Sequence, residues 1–221
     1  MDRGMFPVAT PEAAGDVLRL GGVCIYPTET YFALGAAAAE PAALARAAGI
    51  KGRPTDKPLP LLAADMEQVR AVLHPDFAAT EAFADFLRLA GLFWPGPLSL
   101  VVPTREDLSP LLKDPQGRTS IRVTPHPVAA ALCRLAASPL CATSANLSGY
   151  PPAAGPEELD PTVCVLADAV VIGDPDPAGG PASTVVTPEG GGRLVVVRLG
   201  AVTAKTLMAA GFVVTFPAIR A

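Results

Sequence analysis

Three cations crowd one short stretch, Lys51-Gly-Arg-Pro-Thr-Asp-Lys57, in a chain of 221 residues whose only lysines are Lys51, Lys57, Lys113 and Lys205. On a loop punctuated by Pro and Gly, Arg53 can grip a phosphate bidentately while Lys51 and Lys57 act as point charges, making a compact anion clamp. A solvated surface loop is the ordinary reading of a charge run, and the scarcity of lysine elsewhere weakens it. A second island, Pro27-Thr-Glu-Thr-Tyr-Phe-Ala-Leu-Gly35, follows a buried strand. Hydroxyls there either orient a small ligand or, as Thr28 and Thr30, satisfy turn backbone groups.

Two more islands lie downstream. Arg118-Thr-Ser-Ile-Arg122 places Arg122 inside an apolar strand pattern. Buried there, its guanidinium needs a partner, either a structural carboxylate or an anionic ligand. The stretch Cys141-Ala-Thr-Ser-Ala-Asn-Leu-Ser148 collects Thr143, Ser144, Asn146 and Ser148 at a strand end. That cluster suits a phosphate or a ribose, and it equally suits turn capping. Gly179-Gly-Pro-Ala-Ser-Thr184, followed by Arg198-Leu-Gly200, exposes Ser183 on a glycine-rich turn that permits close ligand approach or simply reverses the chain.

The elements that must position these groups follow from punctuation and pattern. Thr10 caps a helix that opens on Pro11 and ends at Gly21-Gly22. Val23–Tyr26 is a buried strand stopped by Pro27, and Glu40–Ala48 is helical. Gly49 to Pro60 reads as a loop. Leu61–Ala63 is a strand, and Asp65 with Gln68 starts a helix to about Leu73. A further helix covers Ala78–Ala90 and ends at Gly91. Val128–Ala136 and the segment from Thr203 to Ala210 are also helical, the latter closed by Gly211. The remaining strands are Leu98–Val102, Ser120–Val123, Leu140–Thr143, Ala169–Ile172, Thr184–Thr187 and Leu194–Arg198. Strands and helices mix without strict alternation, so the expected fold is α/β of the α+β type. It would be a twisted mixed β-sheet covered by helices, in one domain spanning 1–221 with its core at about 10–210.

Composition excludes other classes. With 50% hydrophobic residues and a net charge of −4, the chain is neither disordered nor broadly basic toward nucleic acid. No apolar run reaches the ~18 residues of a membrane span, and no secretory signal is visible at the N-terminus. Cys24, Cys133, Cys141 and Cys164 are widely spaced, as expected of buried, reduced thiols in a cytoplasmic protein. His74 and His126 lack partners at metal-site spacing, so no protein-held metal is expected. Neither a P-loop nor a Rossmann fingerprint occurs, and no G-x-S-x-G or H-E-x-x-H motif is present.

In order and spacing the islands resemble the YrdC-type threonylcarbamoyl-AMP synthase family. The matching stretches begin with Tyr26-Pro-Thr-Glu-Thr30, Lys51-Gly-Arg-Pro-Thr-Asp-Lys-Pro58 and Phe93-Trp-Pro-Gly-Pro-Leu-Ser99. They continue with Ser120-Ile-Arg-Val-Thr-Pro-His-Pro127, Thr143-Ser-Ala-Asn-Leu-Ser-Gly149, Ser183-Thr-Val-Val186 and Val197-Arg-Leu-Gly-Ala201, so the likeness runs from about Gly21 to Ala210. The resemblance implies a YrdC-like fold open to a basic cavity, in the short stand-alone bacterial form without an extra C-terminal domain. It implies synthesis of threonylcarbamoyl-AMP and pyrophosphate from L-threonine, bicarbonate and ATP, with Mg2+ accompanying ATP. A separate transferase complex then modifies tRNA, and direct binding of tRNA by this chain is weak or absent. Lys51 and Arg53 would be the catalytic pair. Arg53, Lys57, Arg118, Ser144, Asn146 and Arg198 would bind ATP, and Thr30, Arg122 and Ser183 would bind threonine. Ala33, Leu62, Pro152 and Ala182 depart from residues common in the family, a glycine, a histidine, a serine and a glutamate respectively, and bear on amino-acid specificity. Two alternatives differ in class: a YrdC-like nucleotide- or RNA-binding protein without this activity, and a carbamoyl-adenylate enzyme with another acceptor.

Overall fold

A computed structural model describes residues 6–52 and 57–217. Local signals set several helix starts. Helix α1 (Pro11–Arg19) is capped by Thr10, whose Oγ1 accepts from the Ala13 amide at 3.3 Å. Helix α3 (Met66–Val72) is capped by Asp65, which accepts from the Gln68 amide at 3.0 Å. Helix α7 (Ala204–Ala209) is capped by Thr203.

The strands divide between two sheets, not the single sheet expected. A four-stranded sheet holds β1 (Cys24–Pro27), β2 (Phe32–Gly35), β7 (Thr143–Ser144) and β8 (Ala169–Val170), in the order β7-β2-β1-β8. A seven-stranded sheet holds β3 (Leu61–Ala63), β4 (Leu98–Pro103), β5 (Arg118–Val123), β6 (Leu140–Cys141), β9 (Thr184–Gly190), β10 (Arg193–Arg198) and β11 (Val213–Thr215). Its order is β11-β10-β9-β4-β5-β3-β6. Both sheets mix parallel and antiparallel pairs: β3 runs parallel to β5, and β4 antiparallel to it. The run expected as one strand over Leu140–Thr143 is split at Ala142. Leu140 and Cys141 pair with β3, while Thr143 and Ser144 cross to pair with β2. That crossing joins the two sheets.

Both faces of β1 are buried. Val23 and Ile25 enter one apolar cluster with Phe32, Leu100 and Ile121. Cys24 and Tyr26 enter a second, with Leu18 of α1 and Leu132 of α5 (Pro127–Leu135). Continuous burial explains why this strand reads as an unbroken apolar run. Gly35 on the neighbouring strand is required by close approach, because a Cβ there would lie 2.1 Å from the Cys141 carbonyl oxygen.

Two helix ends differ from expectation. Helix α2 (Pro41–Lys51) continues through Gly49, so Lys51 belongs to its last turn and not to a loop. Ala43, Leu44, Ala47 and Lys51 share its buried stripe, at the spacing of one helical face. The predicted helix Ala78–Ala90 is α4 (Glu81–Phe93), entered through a 3-10 turn over Pro75–Ala79. Gly91 does not end it, since a helix tolerates an isolated glycine. It stops at Trp94, where the following Pro95 disfavours helical backbone and the indole Nε1 donates to the Leu98 carbonyl at 2.6 Å. Helix α6 (Pro161–Leu166), β2 and β11 have no counterpart in the sequence reading.

Candidate active site

A cavity of about 760 Å3 opens where the two sheets meet. Strand alternation delivers its floor. Along β5, Ile121 and Val123 point into the core, while Ser120 and Arg122 face the cavity. Ser99 of β4 and Val185 of β9 continue the same face, and Ala33 and Ser144, in register on β2 and β7, supply the opposite wall. Among the described lining residues the charged groups are Lys57, Arg122 and Arg198, with no carboxylate.

Arg122 meets the demand for a partner with a structural carboxylate. Its Nε donates to Glu29 Oε1 at 2.7 Å, and Glu29 Oε2 accepts from the Thr124 hydroxyl at 2.9 Å. Burial works to raise the Glu29 carboxyl, but the guanidinium beside it and these hydrogen bonds outweigh that and hold it below its ordinary value. Glu29 is delivered by the turn after β1. Thr28 organises that turn: its hydroxyl donates to the Tyr31 carbonyl at 2.7 Å and accepts from the Thr30 and Tyr31 amides at 3.4 Å. Thr28 is thus the turn-capping residue of the pair, although both Thr28 and Thr30 line the cavity. The Tyr31 hydroxyl donates to the Gly180 carbonyl, tying this turn to the glycine-rich segment before β9.

Ser183 and Arg198 form the third corner. Arg198 Nη2 donates to the Ser183 carbonyl at 2.8 Å and to its Oγ at 3.1 Å, and the Ser99 hydroxyl donates to Ser183 Oγ at 3.3 Å. Gly200 permits the approach, since a Cβ there would lie 1.9 Å from the Ala182 carbonyl oxygen.

Lys51 lies behind the wall. Its ammonium, on a residue only 7% exposed, donates to the Ser144 carbonyl at 2.7 Å, the Ser144 hydroxyl at 2.9 Å and the Asn146 carbonyl at 2.9 Å. The Asn146 amide nitrogen donates in turn to the Leu147 and Tyr150 carbonyls, so its turn-capping role is realised. Lys51 and Asn146 brace the turn that presents Ser144.

The structure therefore gathers Thr30, Lys57, Arg122, Ser144, Ser183 and Arg198 at one cavity, with Lys51 and Asn146 directly behind it. Arg53 lies outside the described residues. Arg118 is not brought in: it stands at the far end of β5, lines a separate hollow and is ion-paired with Asp114 at 2.8 Å. Four residues at ~3.3 Å per residue separate it from Arg122 by about 13 Å. Sequence reasoning missed Glu29, Ser99 and Ser120; the last has a buried hydroxyl with no hydrogen-bond partner among the described residues. Only for Glu29 was there a signal, the carboxylate that a buried Arg122 demands. Of the departures, Ala33, Pro152 and Ala182 line the cavity, whereas Leu62 is fully buried in the core, in register with Arg122.

Cys24, Cys133 and Cys164 offer no activated nucleophile. Burial pushes the Cys24 and Cys133 thiols up to about 12 and the Cys164 thiol to about 11. No helix among the described residues is long and apolar enough to cross a membrane.

The Sua5/YciO/YrdC family model, described as telomere recombination, matches residues 16–200. A threonylcarbamoyl-AMP synthase of Nitrosococcus oceani is 40% identical over 140 residues, covering 63% of this chain and 72% of that protein. One from Stenotrophomonas maltophilia is 36% identical over 166 residues, covering 75% and 87%. The crystal structure of P. abyssi Sua5 complexed with L-threonine superposes with a TM-score of 0.78 at 29% identity. It is matched over 90% of this chain, which spans 56% of that protein's length.

Proposed function

The chain belongs to the Sua5/YciO/YrdC family, and on that basis we propose that it makes threonylcarbamoyl-AMP and pyrophosphate from L-threonine, bicarbonate and ATP. The observation that carries this reading is the convergence of Lys57, Arg122 and Arg198 with the Thr30, Ser144 and Ser183 hydroxyls on one cavity. The amine of threonine and bicarbonate combine to a carbamate with loss of water. A carbamate oxygen then attacks the α-phosphorus of ATP, and the bond to pyrophosphate breaks. Nucleophile and electrophile are both anionic, so the site must hold them together and offset the charge that accumulates on the phosphates. Fixed guanidinium groups and hydroxyl donors do this without a covalent intermediate.

In this reading Arg198, Lys57 and Ser144 face the nucleotide, and the family resemblance assigns Arg53, outside the described residues, to the same substrate. Arg122, Thr30 and Ser183 face threonine, with Arg122 on its carboxylate. Lys51 and Asn146 act by fixing Ser144. The magnesium ion arrives with ATP and is held chiefly by the phosphates. The product is a reactive mixed anhydride, whose acyl group a separate transferase complex passes to tRNA.

The test is pyrophosphate release by the purified chain with ATP, bicarbonate and threonine, beside reactions that omit threonine or replace it with serine. Threonine-dependent release is the expected result. Release without preference for threonine would point to another acceptor, for which the walls at Ala33, Pro152 and Ala182 are the place to look. No turnover, together with salt-sensitive binding to structured RNA, would favour a non-catalytic RNA-binding role.

A further inference from the structure

We propose that Glu29 is a positioning residue for amino-acid binding: it fixes the Arg122 guanidinium so that its two terminal nitrogens, and not its Nε edge, meet the carboxylate of the substrate. The inference rests on the reading of Arg122 as the carboxylate-binding group. A guanidinium offers two bidentate edges, one through Nε and one through the terminal pair. Glu29 Oε1 occupies Nε at 2.7 Å. The other carboxylate oxygen is held by Thr124, so the carboxylate is clamped from both sides and cannot swing toward the cavity. The main chain of Glu29 is fixed as well, by the Thr28 turn and by the Ala178 amide, which donates to the Glu29 carbonyl at 3.4 Å. Glu29 does not line the cavity, whereas Arg122 does. The carboxylate acts through the arginine.

The pair also sets the charge of the subsite. Ionised Glu29 neutralises one unit of positive charge behind Arg122. What remains toward the cavity is a directional donor edge with little net charge, suited to the carboxylate of a zwitterionic amino acid. A naked guanidinium would also attract the far more highly charged triphosphate. Glu29 thereby helps keep the two substrates in separate subsites.

The test uses the full chain and three variants, E29Q, E29A and T124V, with pyrophosphate release measured against threonine and against ATP. E29Q is isosteric and removes only the charge; T124V keeps volume and frees Glu29 Oε2. The expected result is a KM for threonine raised about tenfold or more in E29A, with smaller increases in E29Q and T124V. The KM for ATP should stay within about twofold in all three. Threonine should also lose most of its stabilising shift in the melting temperature of E29A. Should E29A fail to fold, E29Q and T124V decide the matter. Unchanged threonine KM in those two, or equal increases for threonine and ATP, would overturn the proposal while leaving the proposed function intact. Absence of threonine-dependent release by the unsubstituted chain would overturn both.

Discussion

The ammonium of Lys51 and the hydroxyl of Ser144 lie 2.9 Å apart, and the same ammonium also reaches the carbonyl oxygens of Ser144 and Asn146. A cation that appeared to belong to an exposed phosphate loop is a buried strut between α2 and the Ser144 turn. Its removal takes the donor from the Asn146 carbonyl in a buried place and one of two donors from the Ser144 carbonyl, which the Asn146 backbone amide also reaches. K51A should therefore cost about 1–3 kcal/mol of stability, a fall of roughly 2–12 °C in melting temperature for a chain of this size, together with loss of turnover. K57A removes an exposed cation at the cavity and should stay within about 0.5 kcal/mol of the parent while raising the KM for ATP. Thermal unfolding of both variants checks this. Equal melting temperatures for K51A and the parent would remove the strut role.

The Glu29–Arg122 pair makes an acid-side prediction. The folded-state pKa of Glu29 lies below its ordinary value of 4.5. Such a group contributes stability that is fully present above its unfolded-state pKa and is lost as pH falls through its folded one. The melting temperature of the unsubstituted chain should therefore exceed that of E29Q at neutral pH. The gap should stay constant down to about pH 5 and close steadily below 4.5. Thermal scans of both proteins across pH 3 to 7 measure it. A gap that widens on acidification would show that burial, and not Arg122, controls the carboxyl.

How far the sequence revealed this site depends on the range of the interaction. Thr10, Asp65 and Thr203 were legible as caps because a cap is satisfied within three residues. The cavity residues were legible as polar islands in an apolar chain, since a strand-end hydroxyl or a strand arginine has few reasons to be there. Their partners were not. Glu29 and Arg122 are 93 residues apart, and Lys51 and Ser144 are equally distant, so only the tertiary fold brings each pair together. Division of the strands into two sheets was hidden for a related reason. Leu140–Thr143 is one apolar run, yet the Cys141 amide donates to Ala36 and the Ala142 amide to Pro60, partners that no local pattern specifies. Gly49 reads locally as a helix breaker, whereas burial of Ala47 and Lys51 on one face carries α2 past it.

Close backbone approach at Gly200 should make that position intolerant of any side chain. The added Cβ of G200A would lie 1.9 Å from the Ala182 carbonyl oxygen and 2.8 Å from the Ser183 carbonyl carbon. Relief requires the Arg198–Gly200 segment to withdraw, which breaks the contact between Arg198 and Ser183. G200A should cost about 1–3 kcal/mol from overpacking and raise the KM for both threonine and ATP, since the corner it displaces faces both substrates. Steady-state kinetics and a melting curve on one preparation measure both effects. Parent-like values in both would mean that the segment adapts without moving Arg198.

The thiols should be silent in the folded protein. A thiol with a pKa near 12, as for Cys24 and Cys133, is ionised at pH 8 to on the order of one part in ten thousand. Cys141 and Cys164 are buried as well, and the Cys141 sulfur accepts from the Ala36 amide at 3.2 Å. A disulfide-exchange reagent with a coloured leaving group should therefore detect almost no thiol in the native chain at pH 8. All four cysteines should respond at once in denaturant. Saturating ATP and threonine should leave the native reading unchanged, because none of the four thiols lines the cavity. A rapidly reacting native thiol that either substrate protects would place a cysteine at the site after all.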